Sequence, residues 1–177
     1  MILDSTHGNS AIATIKLKAL KPGTLMLESF YNIECIAPKE LQLGRFLSTG
    51  SLRTLVSLDG KDLSALISHK KLSSMLDRIP NATAEALIRQ AKEPVKQMVD
   101  ISSNIVNQQL PGIVDEAIEN MLTFQRAELH RLQALAKVNP AIRKEEIEYL
   151  KDITDELANC LAQADLRLDA VRLIIAV

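Results

Sequence analysis

The chain has no tryptophan, and its five other aromatic residues make up only 3% of 177 positions. Leu, Ile, Val and Ala must therefore fill the core, which suits paired helices and β-branched sheets better than aromatic-walled ligand pockets. Two cysteines, Cys35 and Cys160, are too few for a disulfide framework and sit in apolar stretches. They read as free thiols in a reducing compartment. The three histidines, His7, His69 and His130, lie far apart, and none neighbours a cysteine. The paired spacings of a zinc site are absent, so no metal is expected. No apolar run approaches the roughly 20 residues of a membrane span, so no membrane partner is expected. The stretch from Met1 to His7 has no basic segment leading into an apolar one, and a cytoplasmic, nucleoid-associated location is expected.

Motifs that carry chemistry are also missing. Ser48-Thr49-Gly50-Ser51 is small and polar but lacks the Gly-Lys-Ser/Thr ending that brings a cation and a metal ligand to phosphates. No serine sits in a Gly-x-Ser-x-Gly elbow. Glu116, Glu119 and Glu128 lie on one arm of a helix pair and Glu145, Glu146 and Glu148 on the other, but Glu128 and His130 are two apart and point to different faces. A di-metal site needs Glu-x-x-His spacing, so these carboxylates read as a solvated acidic face, answered in part by Arg143 or Lys144. The expectation is no catalytic, cofactor-binding or metal-binding residue, no cofactor, and no enzymatic activity in this chain.

Charge is nearly balanced at −1, against a protein whose whole surface binds nucleic acid. Residues 1–80 carry ten Lys/Arg against seven Asp/Glu, whereas 81–177 carry eleven against fifteen. Arg45, Arg53, Lys70, Lys71 and Arg78 are the candidates for touching nucleic acid, but no aromatics are interleaved for base stacking.

Periodicity supplies the architecture. Ala13, Ile15 and Leu17 alternate with Thr14, Lys16 and Lys18, the period of a strand with one wet face. Lys21-Pro22-Gly23 makes a tight turn, and a second run from Thr24 to Ala37 places Leu25, Leu27, Tyr31, Ile33 and Cys35 on one side. The pair reads as an antiparallel hairpin. Leu52 to Leu58 is a third strand with Leu52, Val56 and Leu58 inward, closed by the Asp59-Gly60 turn. From Leu63 through Ile79 the spacing turns helical, with room for an interruption near His69-Lys70-Lys71, and Asn81 or Thr83 is placed to cap the next helix. Pro94 should kink or restart the helical stretch, and Pro111-Gly112 should do so more strongly.

Beyond these breaks, Val114, Ile118, Met121, Leu122, Leu129, Leu132 and Leu135 form one stripe. Asn139-Pro140 separates it from Ile147, Leu150, Ile153, Leu157, Leu161 and Ala164. Two long amphipathic helices across a short break imply an antiparallel helical hairpin. The end, Leu166 to Val177, is rich in β-branched residues and reads as a strand returning to the N-terminal sheet. The expected fold is α+β: an antiparallel sheet from N-terminal strands plus a C-terminal strand, with a long helical hairpin. The organisation expected is a single module over 1–177, with strands over 1–62, helix over 63–165 (hairpin about 113–165) and strand over 166–177.

Three segments resemble a known family. They are Ala37-Pro38-Lys39-Glu40-Leu41-Gln42-Leu43-Gly44-Arg45-Phe46-Leu47, then Ala127-Glu128-Leu129-His130-Arg131-Leu132-Gln133-Ala134-Leu135 with Val138-Asn139-Pro140 and Ile142-Arg143, and Arg167-Leu168-Asp169-Ala170-Val171-Arg172-Leu173-Ile174. Their order and spacing, with the Leu20 to Leu25 turn, are similar to the C-terminal region of bacterial RapA proteins, RNA polymerase-associated Swi/Snf-type ATPases. The resemblance implies a non-catalytic C-terminal module of an ATP-dependent remodeller that promotes polymerase recycling. It also implies as partners the ATPase motor domains of the same protein and the RNA polymerase core, with DNA or RNA met through the parent. The alternative is an auxiliary nucleic-acid-binding module acting through the basic N-terminal half.

Overall fold

A computed structural model describes residues 9–16, 20–47, 50–139 and 141–177. The expectations that rest on His7, Leu17, Lys18, Ser48, Thr49 and Pro140, and on the side chain of Arg78, fall outside what is described. The chain divides into two compact units, one of residues 1–32, 51–108 and 166–177, the other of residues 33–50 and 109–165.

The first unit is built on a mixed five-stranded sheet of order β3-β2-β5-β1-β4. Its strands are β1 (Asn9–Ile15), β2 (Leu25–Glu34), β3 (Leu52–Ser57), β4 (Leu76–Arg78) and β5 (Asp165–Ala176). The α+β class and the returning C-terminal strand are as the periodicity implies, but the sheet is mixed, not purely antiparallel. β1 and β2 do not form a hairpin, because β5 lies between them and runs parallel to β1, with Ala13 opposite Ile174. The turn between them does form, with Thr24 N bonding Lys21 O at 3.1 Å and Gly23 at φ 87°. It delivers β2 to β5: Gly23 N donates to Ala176 O and Ala176 N to Thr24 O, at 2.8 and 2.9 Å. A tight turn fixes local direction, whereas the mainly apolar second half of β5 is stable only with strands on both sides.

Period two divides the sheet into two faces, and each is covered. On one, Ile15, Met26, Leu55, Ile174 and Ala176 pack with Leu72 and are flanked by Leu63, Ile67, Met75 and Leu76. On the other, Leu27, Val56 and Leu173 pack with Ala91, Val95 and Met98. β3 is consequently buried on both faces at Leu55 and Val56, and Leu58, expected inward, is 41% exposed in the turn.

The helix expected from Leu63 to Ile79 is a turn, the five-residue helix α1 (His69–Ser73) and then β4. Its apolar residues still cover the sheet, but from an irregular path, so their 3.6 spacing marks burial rather than helix. α2 (Asn81–Gln90) starts directly after Pro80, the residue at the cap position. α3 (Lys92–Ala136) follows Ala91 and continues through Pro111 for 45 residues, so the helix does not restart there. Pro94 occupies the third helical position, where its missing N–H costs no intrahelical bond. Pro111, Gly112 and Asn107 are exposed, so water can solvate the carbonyl that Pro111 leaves without a donor.

In the second unit the later part of α3 meets α4 (Lys144–Ala162). Ala117 and Met121 of α3 bury with Leu157 and Leu161 of α4. Farther along α3, Gln125 and Leu129 line a shallow groove with Thr154 and Lys151. α4 numbers fall as α3 numbers rise, so the helices form the expected antiparallel hairpin. Residues 33–50 add two short 3-10 turns, Lys39–Leu41 and Leu43–Arg45, linked by Gln42 at φ 47°. They bring Leu41 and Leu47 onto the helix pair.

Candidate functional site

Glu28 is fully buried in the middle of β2. It shares a sheet face with Met26 and Phe30, and the alternation of β3 and β5 puts Arg53 and Arg172 on that same face. Arg53 Nε donates to Glu28 Oε1 at 2.6 Å, and Arg172 Nη1 donates to Oε2 at 3.2 Å. His69, the first residue of α1, brings Nδ1 to 2.9 Å from Oε1, its ring meeting Phe30 edge-on at 5.2 Å between centroids. Arg53 Nη1 also donates to the carbonyl of Ile67 at 2.8 Å, and Arg172 Nη1 to Ser73 Oγ at 3.2 Å. One carboxylate thus collects three basic side chains and ties β2, β3, β5 and α1 together. A buried carboxylate is tolerable only with such charge-assisted partners. In the alternation of Thr24 to Ala37, Glu28 falls opposite Leu27 and Tyr31, on the side of Asn32 and Glu34. The signal that it is buried is the company of Met26 and Phe30 on its face.

On the opposite face α3 is fastened to the sheet by hydroxyls. Ser102 Oγ lies 2.9 Å from Tyr31 Oη and 2.6 Å from Thr54 Oγ1, all three residues buried. Burial raises the Tyr31 phenol above its ordinary pKa, partly offset by its bond to Ser102, so it stays a neutral member of this network.

The second unit carries a different surface. The guanidinium carbon of Arg45 lies 4.7 Å from the ring centre of Phe124 and 5.7 Å from that of Phe46. Phe124 is nonetheless 44% exposed. The hairpin turn presents Val138 at 80% exposure, with Leu135 beside it and Tyr149 in the early turns of α4 also exposed. Lys137 and Arg143 are exposed around them. On α3, Arg131 Nε and Nη2 grip the two oxygens of Glu128 at 3.0 and 2.5 Å. That bond holds the Glu128 carboxyl below its usual pKa.

The described basic candidates have separate surroundings. Arg53 is consumed by Glu28, Arg45 is stacked on the second unit, and Lys70 and Lys71 are exposed on α1. The acidic candidates Glu116, Glu119, Glu145 and Glu148 are exposed, and Glu146 caps its own helix by accepting from Arg143 N at 3.4 Å. His130 is exposed on α3 and His69 belongs to the Glu28 cluster. Among the described residues no three His, Cys, Asp or Glu are grouped to hold a metal. Among the same residues no helix is long and apolar enough to cross a membrane.

Formal charge separates between the units. The sheet unit has thirteen Lys/Arg against nine Asp/Glu, and the hairpin unit has eight against thirteen.

Residues 1–176 match the family model described as RNA polymerase recycling family C-terminal. The chain is 36% identical over 176 residues to the RNA polymerase-associated protein RapA of Pseudomonas fluorescens strain Pf0-1, covering 99% of the chain and 19% of that protein. It is 37% identical over 175 residues to the RapA of Sodalis glossinidius strain morsitans, covering 99% and 18%. For the RapA of Pseudomonas aeruginosa strain LESB58 the identity is 34% over 176 residues, with the same shares of 99% and 18%. The chain therefore spans about a fifth of the length of the curated relatives it matches. The surfaces described above belong to a member of the RNA polymerase recycling family, of which this chain matches the C-terminal model from end to end.

Proposed function

We propose that this chain is a non-catalytic module of a RapA-like remodeller and serves as a docking piece between the ATPase motor of the parent and the RNA polymerase core. The observation that carries this reading is the family match over residues 1–176, together with relatives named for association with RNA polymerase. The helical hairpin is the part assigned to the partner. Its turn exposes Val138 and Tyr149, large apolar side chains of the kind that anchor protein interfaces, ringed by charge. On this reading the Glu28 cluster and the Ser102 network hold the sheet unit in one shape and do no chemistry. Immobilised core RNA polymerase should retain the purified chain. If it retains only the full-length parent, and the chain has no effect on that capture, the role becomes packing within the parent.

A second reading, nucleic-acid contact through the sheet unit, is favoured by the excess of Lys and Arg on that unit. It requires DNA or RNA affinity that falls steeply with salt, since phosphate contacts release counterions. A gel-shift titration that detects no complex at low salt removes it.

A further inference from the structure

Cys35 and Cys160 are 125 residues apart in sequence, yet the Cys35 thiol donates to the backbone carbonyl of Cys160 at 2.7 Å. Both belong to the hairpin unit, both are half-exposed, and both pack against the same cluster around Leu157 and Leu161. That carbonyl oxygen is two covalent bonds from the Cα of Cys160, so the Cys35 sulfur lies within about 5.5 Å of that Cα. A disulfide joins residues whose Cα atoms are about 4.4 to 6.8 Å apart, with a specific torsion about the S–S bond. The sulfur-to-Cα span bounds the Cα–Cα separation only at about 8 Å, so closure needs rotation of both side chains and movement of the backbone, and both residues stand at the ends of elements. Cys35 follows the last residue of β2, and Cys160 lies in the final turn of α4, which ends at Ala162. Burial raises the Cys35 thiol pKa, and the nearby Cys160 adds to that rise.

We propose that Cys35 and Cys160 form a modification site: a thiol pair that small disulfide oxidants convert into an intramolecular cystine fastening the end of α4 to the segment after β2. In the balanced step, one cysteine thiolate attacks the oxidant's S–S bond, forming a mixed disulfide and releasing one small thiolate. The second cysteine thiolate then attacks the protein sulfur of that mixed disulfide and expels the other small thiolate. The two cysteines are oxidised by two electrons in all, the oxidant's disulfide is reduced to two thiols, and the protons of the cysteines pass to them. Because burial holds the Cys35 thiol protonated, the reaction should accelerate as pH rises.

The test is incubation of the folded full chain with oxidised glutathione, followed by intact-mass spectrometry under non-reducing conditions. The expected product is a monomer lacking two hydrogens, with Cys35 and Cys160 peptides joined, a raised thermal midpoint, and full reversal by dithiothreitol. Cys35→Ser and Cys160→Ser should each stop at a glutathione adduct. A wild-type chain that stops at adducts, links into dimers, or keeps both thiols free overturns the proposal.

Discussion

At the scale of single residues, Glu28 decides most. Its carboxylate is fully buried and answers Arg53, Arg172 and His69, so replacing it leaves both guanidiniums without their counter-ion. Removing one member of a buried ionic group costs about 3–5 kcal/mol. Glu28→Gln should therefore lower unfolding free energy by about 3 kcal/mol or more in urea titrations, and a loss under 1 kcal/mol would contradict the cluster's role. Glu128 is the opposite case, a half-exposed carboxylate whose hydrogen bonds to Arg131 lower its pKa. Its folded pKa lies below the unfolded one, so its contribution is present above the ordinary carboxylate pKa and disappears as pH falls through the folded value. An NMR titration should place its midpoint below that of a free glutamate, and Arg131→Gln should return it. Residue identity alone separates these two glutamates poorly, because burial of Glu28 depends on Leu72 and its neighbours covering the sheet from elsewhere in the chain.

At the scale of elements, helices were more legible than strand partners. The hairpin stripes through Met121 and Leu157 follow from spacing alone, and both residues are buried at the seam. Leu157→Asp should cost about 3 kcal/mol or more, through lost burial and an unpaired charge, and a thermal midpoint near wild type would contradict the seam. Pro111 misleads for a physical reason: proline forbids one hydrogen bond, but it ends a helix only where its surroundings do not hold the chain helical. Val106 on one side and Ala117 on the other are buried along the same helix. Pro111→Ala should restore the missing bond and raise stability by about 1–3 kcal/mol, with helicity unchanged in circular dichroism. A destabilising result would mean that the helix needs proline's geometry there. Strand order is harder to read than helix faces because β1 and β5 are brought together across more than 140 residues of chain, and nothing in the local pattern of Ile12 to Ile15 names its partner. Leu63 to Leu76 shows the same ambiguity, an apolar spacing that fits a helix and is realised by turns, α1 and β4.

At the scale of the whole molecule, sequence segments such as Ala127 to Leu135 carried the family, while the exposure of Val138 and Tyr149 and the burial of Glu28 depend on tertiary packing that local patterns do not encode. The partition of charge between the sheet unit and the hairpin unit cuts across sequence order, since residues 33–50 join the acidic unit and 166–177 the basic one. The measurement closest to the central claim is a titration of the fluorescently labelled chain with core RNA polymerase, read by anisotropy. The account predicts saturable binding that Val138→Glu combined with Tyr149→Glu weakens at least tenfold, a loss of about 1.4 kcal/mol, while thermal stability is unchanged. No binding by the wild-type chain, or equal binding by the double variant, would contradict it.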